Sequence, residues 1–276
     1  MRKSKHTTLI GCALIAVLSA CSHISEDERY IYVPMPQAGK CILIEDFTGQ
    51  DCVNCPTATA IVEQLQATYT GDTIIAVAIH SGPLGVMPSE RHPDGLATAL
   101  GNTYYNYWKC QYQPTGLIDR SDGLLDKELW TAKTLWDLKQ SSTVNILLGV
   151  TPSAETLSSA DGQPLPSFDV NIQLVGTSGT TAGKLQVWLT EDNIVAFQKM
   201  PDGSTKTDYV HNHVLRDAVN GTWGEDVSVG EGEVRTFYYQ FTPSTAWRAE
   251  NLAIVAFVYN DEGVVQAARF ELRTER

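Results

Sequence analysis

The stretch FTGQDCVNCP, Phe47–Pro56, sets two cysteines, Cys52 and Cys55, three positions apart between segments of different character. Upstream, Cys41–Phe47 (CILIEDF) reads as a strand bounded by Gly39 and by Thr48-Gly49. Downstream, Thr57–Tyr69 places Ala60, Ile61, Leu65 and Thr68 or Tyr69 on one helical face, and Gly71-Asp72 ends the helix. Thr73–Ile79 (TIIAVAI) is then apolar throughout, as expected of a strand covered on both faces. The order is strand, Cys-x-x-Cys, helix, strand, with a right-handed crossover by default.

Three chemistries compete for the cysteine pair. A zinc site wants a second close pair of Cys or His, and the other candidates are scattered through different segments, so no metal is expected. A disulfide across so short a loop removes little unfolded-state entropy and is a poor staple. The spacing therefore leans toward redox exchange. If Cys52 opens the helix that begins near Pro56, free backbone N–H groups and the helix dipole favour its thiolate, the nucleophile in exchange. Cys55 would lie one turn in, placed to attack a mixed disulfide. Pro56 falls in the first helical turns, where a missing N–H costs little. Asp46, six residues before Cys52 on the incoming strand, is placed to reach under the pair as a base.

The amino terminus carries an address. Arg2, Lys3 and Lys5 form a basic region, and Thr8–Ala20 forms an apolar segment too short to span a bilayer comfortably. Residues 1–20 read as a signal peptide ending in Leu18-Ser19-Ala20 before Cys21, which looks like a bacterial lipobox with Cys21 as the lipidated residue. The acidic run after Cys21 resembles the surface-export signal of Bacteroidetes lipoproteins. The mature chain then lives where disulfides persist. Removing three basic residues leaves 17 Lys+Arg against 32 Asp+Glu, a net of −15, so nucleic acid is not a partner and membrane attachment comes from lipid.

Residues 21–37 read as a tether with one short strand at Tyr30–Val33. Ser81–Tyr112 is broken by Gly82-Pro83, Pro88 and Pro93, with a helix expected over Asp94–Trp108; Pro114–Arg120 follows as a short strand, then a helix from Leu125 to about Lys139. Beyond Gln140-Ser141-Ser142 come seven or eight strands separated by turn signals such as Asp202-Gly203 and Asn220-Gly221, the pattern of an antiparallel sandwich of immunoglobulin-like size. His211 and His213 would share a face of one strand, which two metal ligands could use, but no third ligand is evident and packing is the reading preferred. Cys41 reads as a buried thiol far from the pair, and Cys110, four residues before Pro114, as a core thiol or a third redox cysteine.

Asp46-Phe47, Cys52-x-x-Cys55 and the later Gln113-Pro114-Thr115 together resemble the thioredoxin fold over about residues 38–141. That resemblance implies that Cys52 is the attacking thiol, Cys55 the resolving thiol, Asp46 the buried carboxylate and Pro114 the cis-proline facing the disulfide, with the backbone of Gln113 pairing with a bound peptide. Val53-Asn54 between the cysteines and Asp51 before them depart from thioredoxin, and a carboxylate beside the nucleophile opposes thiolate formation unless it points to solvent. In the second half, LQVWLTEDNI (Leu185–Ile194), YVHNHVLR (Tyr209–Arg216) and GTWG (Gly221–Gly224) resemble the Bacteroidetes lipoproteins related to the twenty-eight-kilodalton outer membrane protein. The expected architecture is thus an α/β thioredoxin-like domain, residues 38–142, followed by an all-β immunoglobulin-like sandwich, residues 143–276. The expected function is that of an outer-membrane lipoprotein, periplasmic or surface-facing, exchanging disulfides with exported proteins. The alternative is a surface binding or adhesion protein, with a ligand of its own and a non-catalytic disulfide. No cofactor is implied.

Overall fold

The apolar runs of the two halves of the chain meet in one sheet. A computed structural model of the chain describes residues 38–153, 157–158 and 164–272; the signal peptide, Cys21, the tether and the strand expected at Tyr30–Val33 lie outside them. The first half runs β1 (Ala38–Gly39), β2 (Ile42–Thr48), α1 (Cys55–Tyr69), β3 (Ile74–His80), α2 (Ala99–Tyr107), β4 (Thr115–Ile118), β5 (Leu125–Asp126) and α3 (Lys127–Asp137). The short strands β6 (Ser141–Ser142), β8 (Leu157–Ser158) and β9 (Pro164–Leu165) surround β7 (Val144–Pro152). Then come β10 (Phe168–Gly176), β11 (Thr180–Glu191), β12 (Ile194–Lys199), β13 (Thr205–His211), β14 (Val214–Ala218), β15 (Glu225–Gly230), β16 (Val234–Phe241), β17 (Leu252–Asn260) and β18 (Gly263–Glu271).

The expected division into an α/β thioredoxin-like domain and a separate sandwich is overturned by the sheet order. Nine strands form one mixed sheet, β18-β17-β11-β14-β3-β2-β4-β5, with β15 also paired to β11. The junction is β14 against β3, parallel, with Val214 opposite Ala78 and the Ala78 N–H donating to the His213 carbonyl at 2.8 Å. The described residues all fall in one compact unit.

Side-chain alternation explains the fusion. On β2 and β3, Ile42, Ile44, Ile74 and Ala76 point to the face covered by α1 and α3, where they pack on Ala58, Val62, Leu65 and Trp130. Their neighbours Leu43, Phe47, Ile75, Val77 and Ile79 point the other way and pack with Tyr104 of α2 and with Trp188, Val255 and Phe257 of β11 and β17. Those two strands also serve two cores, because Leu185, Val187, Leu189, Ile254, Ala256 and Val258 face a three-stranded sheet of β16, β10 and β7 instead. Neither half buries its apolar surface without the other.

Local chemistry moves several boundaries. The helix expected from Asp94 begins only at Ala99, because Gln50 holds the preceding segment: its Nε2 donates to the Asp94 carbonyl at 3.2 Å and its Oε1 accepts from the Leu96 N–H at 2.9 Å. Thr98 then caps α2 by accepting from the Gly101 N–H. The single strand expected to carry both His211 and His213 is broken at Asn212-His213, where His213 adopts a φ of 58°, so β13 pairs with β12 while β14 enters the large sheet. The edge strand β15 was not expected.

Glu45 and Arg120, both buried, join in a two-pronged ion pair at 2.6 and 2.9 Å. Breaking one partner strands a buried charge, which costs about 3–5 kcal/mol. Glu45→Gln is therefore expected to lower the urea unfolding free energy by roughly that amount, and the double variant Glu45→Leu/Arg120→Met by clearly less; equal losses in the two would contradict a buried pair that matters through its charges.

Candidate functional site

The cysteine pair sits at the carboxyl end of β2, where the chain turns into α1. Gly49 is required there, since a Cβ would stand 2.2 Å from the Leu84 carbonyl oxygen. The Cys52 N–H returns to the Gly49 carbonyl at 3.1 Å, and Asn54 opens the helix without a side-chain cap, with Pro56 in the first turn. Cys52 and Cys55 form a disulfide across this turn, with Cα atoms 5.4 Å apart. The Gln113–Pro114 peptide is cis and leads into β4, whose first residue Thr115 pairs with Phe47. Gln113 reaches the same strand end through its side chain, Nε2 donating to the carbonyls of Thr48 at 2.6 Å and Ser81 at 3.0 Å.

Asp46 lies on the α1 face of β2, alternating with Glu45, which faces Arg120 on the other side. Its Oδ1 is buried with no hydrogen-bond partner, and burial pushes the carboxyl up to about 8. A cleft of about 330 Å³ lined by Asp192, His213 and Glu63 reaches it. Asp51, the carboxylate before the nucleophile, is turned outward into an ion pair with Lys199 at 2.9 Å.

The β12–β13 hairpin lies over the pair. Gln198 Nε2 donates to the Cys52 carbonyl at 2.9 Å and the Gly49 carbonyl at 3.2 Å, and the Lys199 N–H donates to the Gln50 carbonyl at 2.9 Å. Gln50 Nε2 in turn reaches the Phe197 carbonyl at 3.3 Å. Under this cover Cys52 and Cys55 are each 2% exposed. A cavity of about 20 Å³ beneath the hairpin touches Cys55, His80, Tyr209 and His211. The rings of His80 and His211 meet edge to face at 5.1 Å, and His80 Nδ1 has no partner. Burial first, then His211 and Arg216, holds His80 well below the usual imidazole range, and burial lowers His211 to about 4.

The two histidines singled out in the sequence part company. His211 faces His80 and the Phe197 carbonyl, whereas His213 meets Asp192 at 3.0 Å and Gln66 at 3.2 Å, so neither shares the other's partners. Among the described residues no group of three His, Cys, Asp or Glu is placed to hold a metal ion. Cys110 is a free thiol in the core with Phe47 and Tyr104, and burial raises it to about 12. Cys41 is free and half-buried, its N–H donating to Gln266 Oε1 at 2.9 Å.

The model of the outer membrane protein Omp28 family matches residues 101–275, more than half of the chain. The chain belongs to that family. The outer membrane is accordingly its place, and the matched segment begins after the Cys52–Cys55 pair. Among solved structures, HBP35 of Porphyromonas gingivalis shares the fold at 14% identity and a TM-score of 0.63, over 86% of this chain and 79% of that one. A domain of the outer membrane lipoprotein Omp28 from Porphyromonas gingivalis is 24% identical over 49% of this chain and 92% of its own, with a TM-score of 0.33. No curated protein matches. Among the described residues, no helix of this Omp28-family chain is long and apolar enough to cross a membrane.

Two predictions follow from the titratable groups. An unfolded Asp titrates near 3.9, so between about pH 4 and pH 8 the native state keeps a proton on Asp46 that the unfolded state releases. Stability is thus lost as pH rises through that window. Asp46→Asn is expected to remove this slope, raising the melting temperature of the oxidised chain at pH 8 with little change at pH 4; an unchanged melting temperature at pH 8 would contradict it. In the folded protein, the His80 and His211 ring resonances are expected to stay in their neutral positions from pH 7.5 to 5.5, and a midpoint above 6 for either would refute their burial as a pair.

Proposed function

We propose that this Omp28-family protein, anchored through lipid on Cys21, exchanges disulfides with exported proteins at Cys52–Cys55. The observation that carries this reading is the disulfide across the first turn of α1, with the buried carboxyl of Asp46 on the strand face beneath that helix. In the reducing direction, the Cys52 thiolate attacks a partner disulfide, forming a mixed disulfide and releasing one partner thiolate. Cys55 gives up its proton to the ionised form of Asp46, the minor form below about pH 8, and attacks the Cys52 sulfur. The Cys52–Cys55 bond forms, the second partner thiolate leaves, and the two protons end on the partner thiols. The reverse sequence oxidises a partner. Gln113, whose peptide to Pro114 lies at the same end of the sheet, is the backbone that a bound peptide would pair with.

A second reading is favoured by one observation, the near-complete cover of both cysteines by the β12–β13 hairpin. In it the bond stays closed and braces the loop under the hairpin of a surface binding protein. Titration in glutathione buffers with alkylation of free thiols separates the two. A reduction potential between about −270 and −120 mV supports exchange, and one below about −300 mV supports the closed brace. Cys55→Ser is expected to trap mixed disulfides with specific exported proteins in the first case and none in the second.

A further inference from the structure

A second concave site lies apart from the disulfide. It is a cavity of about 890 Å³ between the end of α2, the β11 and β17 strands and the turn bearing Trp223. Its size falls within the roughly 300–1,000 Å³ of small-molecule sites. Tyr107 stands at its mouth, 60% exposed, although nothing in the core needs a tyrosine there. Its ring centroid is 4.4 Å from that of Trp223 and 5.3 Å from that of Trp108.

The platforms are held in place from behind. Tyr259 donates its hydroxyl to the Trp223 carbonyl at 2.8 Å, and Tyr104 donates to the neighbouring Thr222 carbonyl at 2.5 Å. Arg120, locked on Glu45, forms part of the floor and lies 4.6 Å from the centre of the Tyr259 ring. Sites with such fixed walls lose little entropy on binding.

The lining selects the chemistry. Arg120 is neutralised by Glu45 and Lys184 by Asp226 at 2.7 Å, which leaves Asp261 as the remaining charge of the lining, so no anionic ligand is sought. The exposed rings are inclined, at 50° for Tyr107 with Trp223 and 89° for Tyr107 with Trp108, so they form no parallel slot for a flat aromatic molecule. Inclined ring faces edged by carboxylates, an ammonium and the Asn260 amide suit puckered rings that carry C–H on one face and hydroxyls around the rim. The Trp108 Nε1–H is buried with no acceptor among the described residues, and Trp108 is part of the lining. We infer that this cavity is a binding site for a neutral oligosaccharide. It goes beyond the exchange chemistry and does not depend on it.

Calorimetry and tryptophan fluorescence of the full mature chain with maltohexaose, cellohexaose, chitohexaose and mannohexaose test it, with riboflavin as a flat aromatic control. At least one hexasaccharide is expected to bind and perturb the fluorescence. Tyr107→Ala, at an exposed position, and Asp226→Ala are each expected to weaken that binding roughly tenfold, with unfolding unchanged. Absence of binding by all four sugars, binding indifferent to Tyr107→Ala, or binding of riboflavin alone would overturn the assignment.

Discussion

The Arg120 guanidinium, buried in a cage of rings and paired with Glu45, is the constraint around which the molecule is assembled. Desolvating both charges is costly, and the cost is offset only if the pair has good geometry and well-placed neighbours. Two hydrogen bonds hold Glu45, and the rings of Trp108, Trp188, Phe257 and Tyr259 lie 4.6 to 5.8 Å from the guanidinium carbon. Those rings come from the end of α2, from β11 and from β17. Arg120 and its neighbour Asp119 both adopt left-handed backbone angles, φ 58° and 50°, which turn the chain sharply out of β4. The same corner is tied to β2, where the Leu43 N–H donates to Asp119 Oδ1 at 2.8 Å, and to β18, where the Val264 N–H donates to the Asp119 carbonyl at 2.6 Å. One ion pair therefore requires strands from both halves of the chain at once.

That requirement explains which part of the fold was legible. The β2–α1–β3 unit stands out because local pattern specifies it: an apolar strand, a helix with buried Cys55, Ala58, Val62 and Leu65, and a second apolar strand. The long strands of the second half were legible for the same reason. Their arrangement was not, although a signal was present. LAIVAFV, Leu252–Val258, is apolar at every position and buried throughout, much as Ile74–Val77 is in the parallel strand β3. A strand of a two-layer sandwich with one wet face would alternate. Uninterrupted apolarity in β17, and Trp188 in β11, announced a second layer on the far face, and that layer is the first half of the chain. The junction itself rests on Val214 and Ala78, a contact that no sequence period marks.

The site divides along the same line. Cys52, Cys55, Asp46 and Gln113–Pro114 were named from spacing and resemblance, and the fold brings them to one end of the sheet. His80, Gln50 and Gln198 were not found. Each is polar and buried, but its role is set by partners remote in sequence: Gln198 reaches the Cys52 carbonyl 146 positions away, and His80 meets His211 across the hairpin. Glutamines that satisfy backbone carbonyls carry no motif. Gln50, inside the stretch that first drew notice, was legible only as a residue beside a cysteine. The pairing of His211 with His213 failed because the alternation rule holds only within a continuous strand, and the chain breaks at Asn212.

The cover over the disulfide sets the terms for any chemistry there. Its outermost tie, Lys199 to Asp51, is half exposed and contributes little. The inner ties are a backbone bond from Lys199 to Gln50 and the Gln198 amide on two carbonyls, the latter two bonds buried. Lifting the hairpin would expose these groups to solvent, which replaces the bonds, so the net cost per bond is about 0.5–1.5 kcal/mol rather than the full strength of each. The outer faces of β12 and β13 are largely exposed, and Ala196, Gln198 and His211 are their only buried residues. Little apolar area thus holds the hairpin down, and elements of that kind open at the low end of the local stability range. A partner disulfide would meet a site whose availability is governed by hairpin opening.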